Sequence, residues 1–172
     1  MTLTSAELTI LGLVIEQPRH GYDLERVIEQ RGIRQWTDIG FSSIYYLLSK
    51  LEKRGLLASD AAATGPTTRR VMHATAAGRE EAFTAVGELL EHAQPAANPF
   101  LVALANLDLV GPDYARVLRA RLAEVEERIA AIRAAERSQQ PLPLAAREVF
   151  SYSLHQWEAE RAWLHERVGE SR

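Results

Sequence analysis

The sequence contains no cysteine among its 172 residues. Disulfide bonds, thiolate zinc sites and cysteine nucleophiles are therefore excluded. No apolar run approaches the roughly 20 residues that a membrane-spanning helix requires, and the N-terminus lacks the basic start and cleavage site of a signal peptide. We therefore expect a cytoplasmic protein that makes no contact with a membrane.

Motifs of catalysis and metal binding are also missing. The sequence has no glycine-rich phosphate loop, no HExxH motif and no GxSxG nucleophile elbow. Its five histidines are scattered, and no two have the three- or four-residue spacing of a metal site on a helix. We therefore expect no enzyme, no catalytic residue, no cofactor and no metal.

Charge differs between the two halves of the chain, whose formal net charge is −3. Residues 1–80 hold ten basic and nine acidic residues, whereas residues 81–172 hold ten basic and fourteen acidic ones. A less acidic N-terminal half is compatible with a DNA-binding domain there and with a C-terminal module of another kind.

Two helices are predicted at the start of the chain. The first spans residues 4–17, because Thr4 and Glu7 have the spacing of a capping box and Pro18 ends the pattern. The second spans residues 21–32 and has four residues on its predicted buried face: Tyr22, Leu24, Val27 and Ile28.

A third helix and a hairpin follow. The helix begins at Ser42 or Ser43 and ends at Gly55, which has the usual place of a left-handed C-cap. Extended runs are predicted at residues 56–59 and 69–75, around a polar segment with a Gly-Pro turn. Three helices followed by a two-stranded hairpin are typical of a winged helix-turn-helix domain.

The third helix has the two faces that a DNA-reading helix needs. Its apolar positions, Ile44, Leu47, Leu48 and Leu51, would anchor it in the core. Its hydroxyl and basic side chains suit the phosphates and base edges of the major groove. The candidate DNA-binding residues are Ser42, Ser43, Tyr45, Tyr46, Ser49, Lys50 and Lys53 on the helix and Thr68, Arg69 and Arg70 on the hairpin.

These candidates have structural alternatives. A serine at the start of the helix could serve only as its cap, and Tyr45 could be a core residue. Lys50 and Lys53 could be ordinary solvated charges. Arg69 and Arg70 alternate along a strand, so at most one of the two faces DNA.

Five motifs in the N-terminal half resemble the PadR family of transcriptional regulators. They are Ile10-Leu11-Gly12-Leu13, His20-Gly21-Tyr22-Asp23-Leu24, Ser43-Ile44-Tyr45-Tyr46-Leu47-Leu48, Leu51-Glu52-Lys53-Arg54-Gly55-Leu56-Leu57 and Thr75-Ala76-Ala77-Gly78-Arg79. The resemblance is specific over roughly residues 8–80. It implies a winged-helix regulator, and members of this family can bind flat aromatic effectors. The chain departs from the family where Tyr46 replaces a frequent proline.

Two heptad-like seams are predicted on C-terminal helices at residues 112–137 and 144–168. The candidate dimerisation residues are Leu118, Leu122, Val125, Ile129, Phe150, Leu154, Trp157, Arg161 and Leu164. The alternative is packing within one chain as a helical hairpin, and both can hold. The predicted fold is mainly α, with a winged helix-turn-helix domain at 1–93 and a helical dimerisation domain at 94–172.

The sequence therefore predicts a transcriptional regulator. We expect a repressor that binds a palindromic operator in double-stranded DNA as a homodimer and is released by a small aromatic ligand. The candidate effector-binding residues are Tyr152, Trp157 and Trp163, although aromatic residues at helical spacing are often core. The alternatives are a winged-helix protein–protein adaptor without DNA binding and a small-molecule-binding helical protein.

Overall fold

The computed structural model describes residues 3–40, 43–60, 70–93 and 98–170. Within these residues the chain forms α1 (Ser5–Glu16), α2 (Gly21–Gln30), α3 (Ser43–Lys53), β1 (Leu57–Ser59), β2 (Met72–Ala74), α4 (Ala76–Glu91), α5 (Pro99–Ala105), α6 (Tyr114–Ser138) and α7 (Leu144–Glu170). Short 3₁₀ turns lie at Ile33–Gln35, Leu107–Leu109 and Gly111–Asp113. The fold is mainly helical, as the sequence predicts.

The chain divides into two units, Met1–Ala96 and Ala97–Arg172. The predicted boundary between residues 93 and 94 falls beside residues 94–97, which lie outside the described residues. The assignment of a dimerisation role to the second unit stays a prediction.

The first unit is a winged helix-turn-helix domain. Its strands β1 and β2 pair antiparallel, with Leu57 opposite Ala74. Side chains from α1, α2, α3 and both strands share one core, which includes Ile10, Leu24 and Ile44. The order of three helices and a hairpin confirms the predicted fold class.

Local capping fixes the start of α1. The Glu7 amide donates to Thr4 Oγ1 at 3.2 Å, and the Thr4 amide donates to Glu7 Oε2 at 2.9 Å. This reciprocal pair is the predicted capping box, and it satisfies two amides that the first helical turn leaves without partners.

One predicted core residue of α2 is wrong. Tyr22 is 65% exposed, whereas Leu24, Val27 and Ile28 are buried. The three buried residues follow the three- and four-residue spacing of one helix face. Tyr22 precedes Leu24 by only two residues, so its side chain projects away from that face.

The junction between the hairpin and α4 is unusually close. Thr75 caps α4, and its hydroxyl lies 2.8 Å from the Gly55 carbonyl oxygen and 3.1 Å from that of Leu56. A Cβ atom on Gly78 would lie 2.1 Å from the Leu56 carbonyl oxygen. Only glycine at position 78 allows α4 to approach β1 this closely, because any side chain there would overlap the backbone.

The second unit is built on the long helices α6 and α7, which pack along each other. Leu118, Val125 and Ile129 of α6 are buried with Leu164 of α7. Part of the predicted dimerisation seam is therefore buried within one chain, which is the alternative in which α6 and α7 pack as a helical hairpin. Leu122, Leu154 and Trp157 pack against this cluster and are partly buried.

Candidate nucleic-acid interface

The face of α3 that points away from the core is polar and continuous. Tyr45 is 63% exposed and Tyr46 is 66% exposed, and Ser49 and Lys53 are exposed as well. Because Tyr45, Ser49 and Lys53 are four residues apart, they lie one above another on the helix. The buried stripe of leucines and Ile44 holds the opposite face. The structure thus brings together four of the predicted DNA-binding residues and excludes a core role for Tyr45.

The start of α3 is less fully described. The Ser43 hydroxyl donates to the Gly40 carbonyl oxygen at 2.6 Å, so this hydroxyl fixes the chain before the helix. Ser42, Thr68 and Arg69 are candidate DNA-binding residues that lie outside the described residues.

The aromatic ring of Tyr45 rests on the first residue of α2. A Cβ atom on Gly21 would lie 2.6 Å from Tyr45 Cε1, so any other residue at position 21 would push the ring aside. This contact orients a side chain that is otherwise largely exposed. It gives a physical reason for glycine at the start of α2, where the sequence alone indicates a helix start and a family motif.

Lys50 does not have the surroundings expected of a solvated charge. Its Nζ lies 3.0 Å from Oε1 of Glu7, a carboxylate on α1 that is only 1% exposed. Burial raises the pKa of Glu7, but hydrogen bonds from Thr4 and Lys50 outweigh it and lower the pKa from 4.5 to about 2. Lys50 is therefore a partner of a buried carboxylate, and its predicted phosphate contact stays a prediction.

Glu7 also binds Arg54, one helical turn after Lys50. Arg54 Nη1 lies 3.3 Å from Glu7 Oε1, and its Nη2 pairs with Glu81 of α4. This ion cluster, Glu7, Lys50, Arg54 and Glu81, ties α3 to α1 and α4. Sequence reasoning missed it, although a charged residue on the apolar stripe of α1 is a signal that could have found it.

The hairpin is tied to α3 through Arg70. Arg70 Nη2 donates to Glu52 Oε1 at 2.8 Å and also to Ser59 Oγ, and Ser59 Oγ donates to the same Glu52 oxygen at 2.8 Å. The side chain of Arg70 is 50% exposed. The side chain of Arg70, a predicted DNA-binding residue at the base of the hairpin, is thus held beside the exposed face of α3.

Metal-binding clusters and membrane-spanning helices are both absent from the described residues. No group of three or more His, Cys, Asp or Glu residues there could hold a metal ion. None of the described helices is both long enough and apolar enough to cross a membrane.

Most of the N-terminal unit matches one known family model. Residues 10–83 match the model of the transcriptional regulator PadR-like family. The chain carries a PadR-like domain. The matched range includes α2, α3, the hairpin and the start of α4, so it contains the whole candidate interface. For these residues the match indicates the class of transcriptional regulators. No curated protein matches the chain.

Solved structures extend the likeness to the whole fold. Bacillus subtilis PadR in complex with operator DNA has a TM-score of 0.77 and 17% identity, with 98% of this chain and 100% of that chain covered. The same protein in complex with p-coumaric acid has a TM-score of 0.78, 16% identity and coverages of 96% and 97%. The Vibrio cholerae virulence activator AphA has a TM-score of 0.68, 21% identity and coverages of 96% and 97%.

In the second unit, the three predicted effector-binding residues have different surroundings. Trp157 lies beneath the guanidinium of Arg128, at 4.8 Å from the ring centre. Trp163 meets the ring of Phe100 edge-on, with centroids 5.9 Å apart. Tyr152 is exposed. Trp157 and Trp163 are partly buried against the cluster of α6 and α7, and the effector-binding role of all three residues stays a prediction.

Proposed function

We propose that this protein represses transcription by binding double-stranded DNA with α3 in the major groove. The proposal rests on one observation. Helix α3 exposes one face, whose residues are Tyr45, Tyr46, Ser49 and Lys53, while its opposite face is buried in the core. Such a helix can enter the groove without disturbing the core. Arg70 supports it from the hairpin, together with Ser42, Ser43, Thr68 and Arg69 as further candidate contacts. The fold likeness to a PadR bound to operator DNA supports the same reading.

The proposed DNA-binding form is a homodimer. In the second unit several large apolar side chains remain exposed although α6 and α7 already pack together: Leu101, Val102, Leu109, Val117, Leu144 and Val149. Covering such residues with a second copy would stabilise the pair. A two-fold dimer matches a palindromic operator and would place its two α3 helices in successive major grooves, about 34 Å apart.

A gel shift with double-stranded DNA tests the binding proposal. Because Lys53 and Arg70 would neutralise phosphates, we expect binding that weakens steeply as salt rises, with a smaller salt slope after Lys53→Ala. Glu29→Ala, which changes a charge on α2, serves as the control and should leave the slope unchanged. Failure to bind DNA even at low salt would favour the protein–protein adaptor instead.

A small aromatic effector is proposed to release the DNA. It would do so by binding better to a dimer whose two α3 helices have a different spacing. The solved complex of a similar fold with p-coumaric acid supports this ligand class, and the Arg128–Trp157 pair offers a cation beside an aromatic ring.

Titration of p-coumaric acid against intrinsic tryptophan fluorescence tests this release. We expect a saturable change that Trp157→Phe reduces, and a parallel loss of the DNA complex in a gel shift. An unchanged spectrum across p-coumaric acid and related phenolic acids would count against an effector of this class.

A further inference from the structure

The ion pair between Arg70 and Glu52 joins the hairpin to α3, and no role has yet been given to its carboxylate. Arg70 Nη2 donates to Glu52 Oε1 at 2.8 Å and to Ser59 Oγ. Within the described residues, its Nε and Nη1 groups make no hydrogen bond. A guanidinium has five N–H donors in a rigid fork, so Arg70 can keep its bonds to Glu52 and Ser59 while its Nε and Nη1 groups bind a ligand.

The position of this contact relates it to the DNA-binding face. Glu52 follows Ser49 by three residues and directly precedes Lys53, so it borders the exposed face of α3. Half of the Arg70 side chain is exposed there. A phosphate that lies against Ser49 and Lys53 would therefore be near the guanidinium of Arg70.

We infer that Glu52 is a positioning residue, which with Ser59 holds the Arg70 guanidinium ready to bind a DNA phosphate. This inference rests on the proposed function. A free arginine loses much of its rotamer freedom when it binds, and a guanidinium already fixed by two bonds loses less. The carboxylate thus strengthens binding to a polyanion, although its own charge repels DNA.

The direction in which Glu52→Ala changes the DNA affinity distinguishes a positioning role from simple charge repulsion. If Glu52 acts only as a negative charge, Glu52→Ala strengthens DNA binding. If Glu52 positions Arg70, the same change weakens binding, by roughly three- to tenfold. Glu52→Gln removes the charge but keeps an acceptor oxygen, so it should bind at least as tightly as the unchanged protein.

The experiment measures binding of the full-length chain to a mixed-sequence DNA duplex at low salt, because a phosphate contact requires no operator. We expect Arg70→Ala to weaken binding. When Arg70 is already alanine, Glu52→Ala should no longer weaken binding and should instead strengthen it slightly, because only the repulsive charge of Glu52 then remains to act. Thermal unfolding of each variant checks that the fold is intact. Ser59→Ala removes one of the two bonds without changing charge, and it carries the test if Glu52→Ala does not fold.

The possible outcomes distinguish a failure of the positioning role from a failure of the proposed function. Equal or tighter binding by Glu52→Ala, while Arg70→Ala weakens binding, overturns the positioning role and leaves DNA binding intact. An unaffected Arg70→Ala overturns the positioning role as well. Absence of binding by the unchanged protein overturns both the inference and the proposed function.

Discussion

Replacement of Glu7 by glutamine is expected to lower the free energy of unfolding by roughly 3 kcal/mol at neutral pH, since each unit of pKa shift is worth about 1.4 kcal/mol. The carboxylate is almost fully buried and accepts bonds from Thr4, Lys50 and Arg54. An amide at this place would turn either its NH₂ group or a neutral oxygen towards two cations. Urea unfolding of the unchanged protein and of Glu7→Gln measures the difference.

The lowered pKa of Glu7 also predicts how the stability of the protein depends on pH. The pKa of Glu7 is lowered on folding from 4.5 to about 2, so its stabilisation is complete above pH 4.5 and is lost as pH falls towards 2. The difference between the unchanged protein and Glu7→Gln should therefore shrink over this range. Glu29→Gln is the matched control, because the pair of Glu29 with Arg34 is largely exposed on the glutamate side and should change stability little. A difference that stays constant with pH would contradict the assignment.

Gly78→Ala is expected to destabilise the N-terminal unit by about 3 kcal/mol, at the upper end of the usual cost of overpacking. The added Cβ atom would lie 2.1 Å from the Leu56 carbonyl oxygen, so the backbone of α4 or of β1 must move. Such a shift also weakens the bonds of Thr75 to Gly55 and Leu56. Thermal unfolding monitored by circular dichroism measures the loss.

The control lies on the same helix. A Cβ atom on Gly87 would have no atom within 4 Å, and alanine is favoured over glycine inside a helix by roughly 0.5–1 kcal/mol. Gly87→Ala should therefore raise stability slightly while Gly78→Ala lowers it. Equal effects of the two substitutions would show that the close approach of Gly78 to Leu56 is not the reason why position 78 requires glycine.

The features that sequence predicted correctly are local ones. The capping box of Thr4 and Glu7, the left-handed Gly55 and the buried stripe of α3 follow from spacing within one turn or two. The features that it missed join distant parts of the chain. For Lys50 the sequence predicts a DNA contact or a solvated charge, because nothing near it in sequence indicates the carboxylate at position 7, which lies 43 residues earlier.

The C-terminal seams show a second limit. Heptad spacing specifies which face of a helix is apolar, but it does not specify whether the partner belongs to the same chain. Leu118, Val125, Ile129 and Leu164 are buried within one chain. The proposed dimer therefore depends on the apolar residues left exposed, which no periodic pattern distinguished.

Footprinting of the protein on the DNA upstream of its own gene tests the central claim most directly. A dimer that inserts one α3 helix from each copy should protect two symmetry-related segments, with centres about one helical turn apart, in a manner that disappears as salt rises. The same experiment with Tyr45→Ala should lose this protection while the variant remains folded. Protection of a single segment without two-fold symmetry, or none at low salt, would contradict the account.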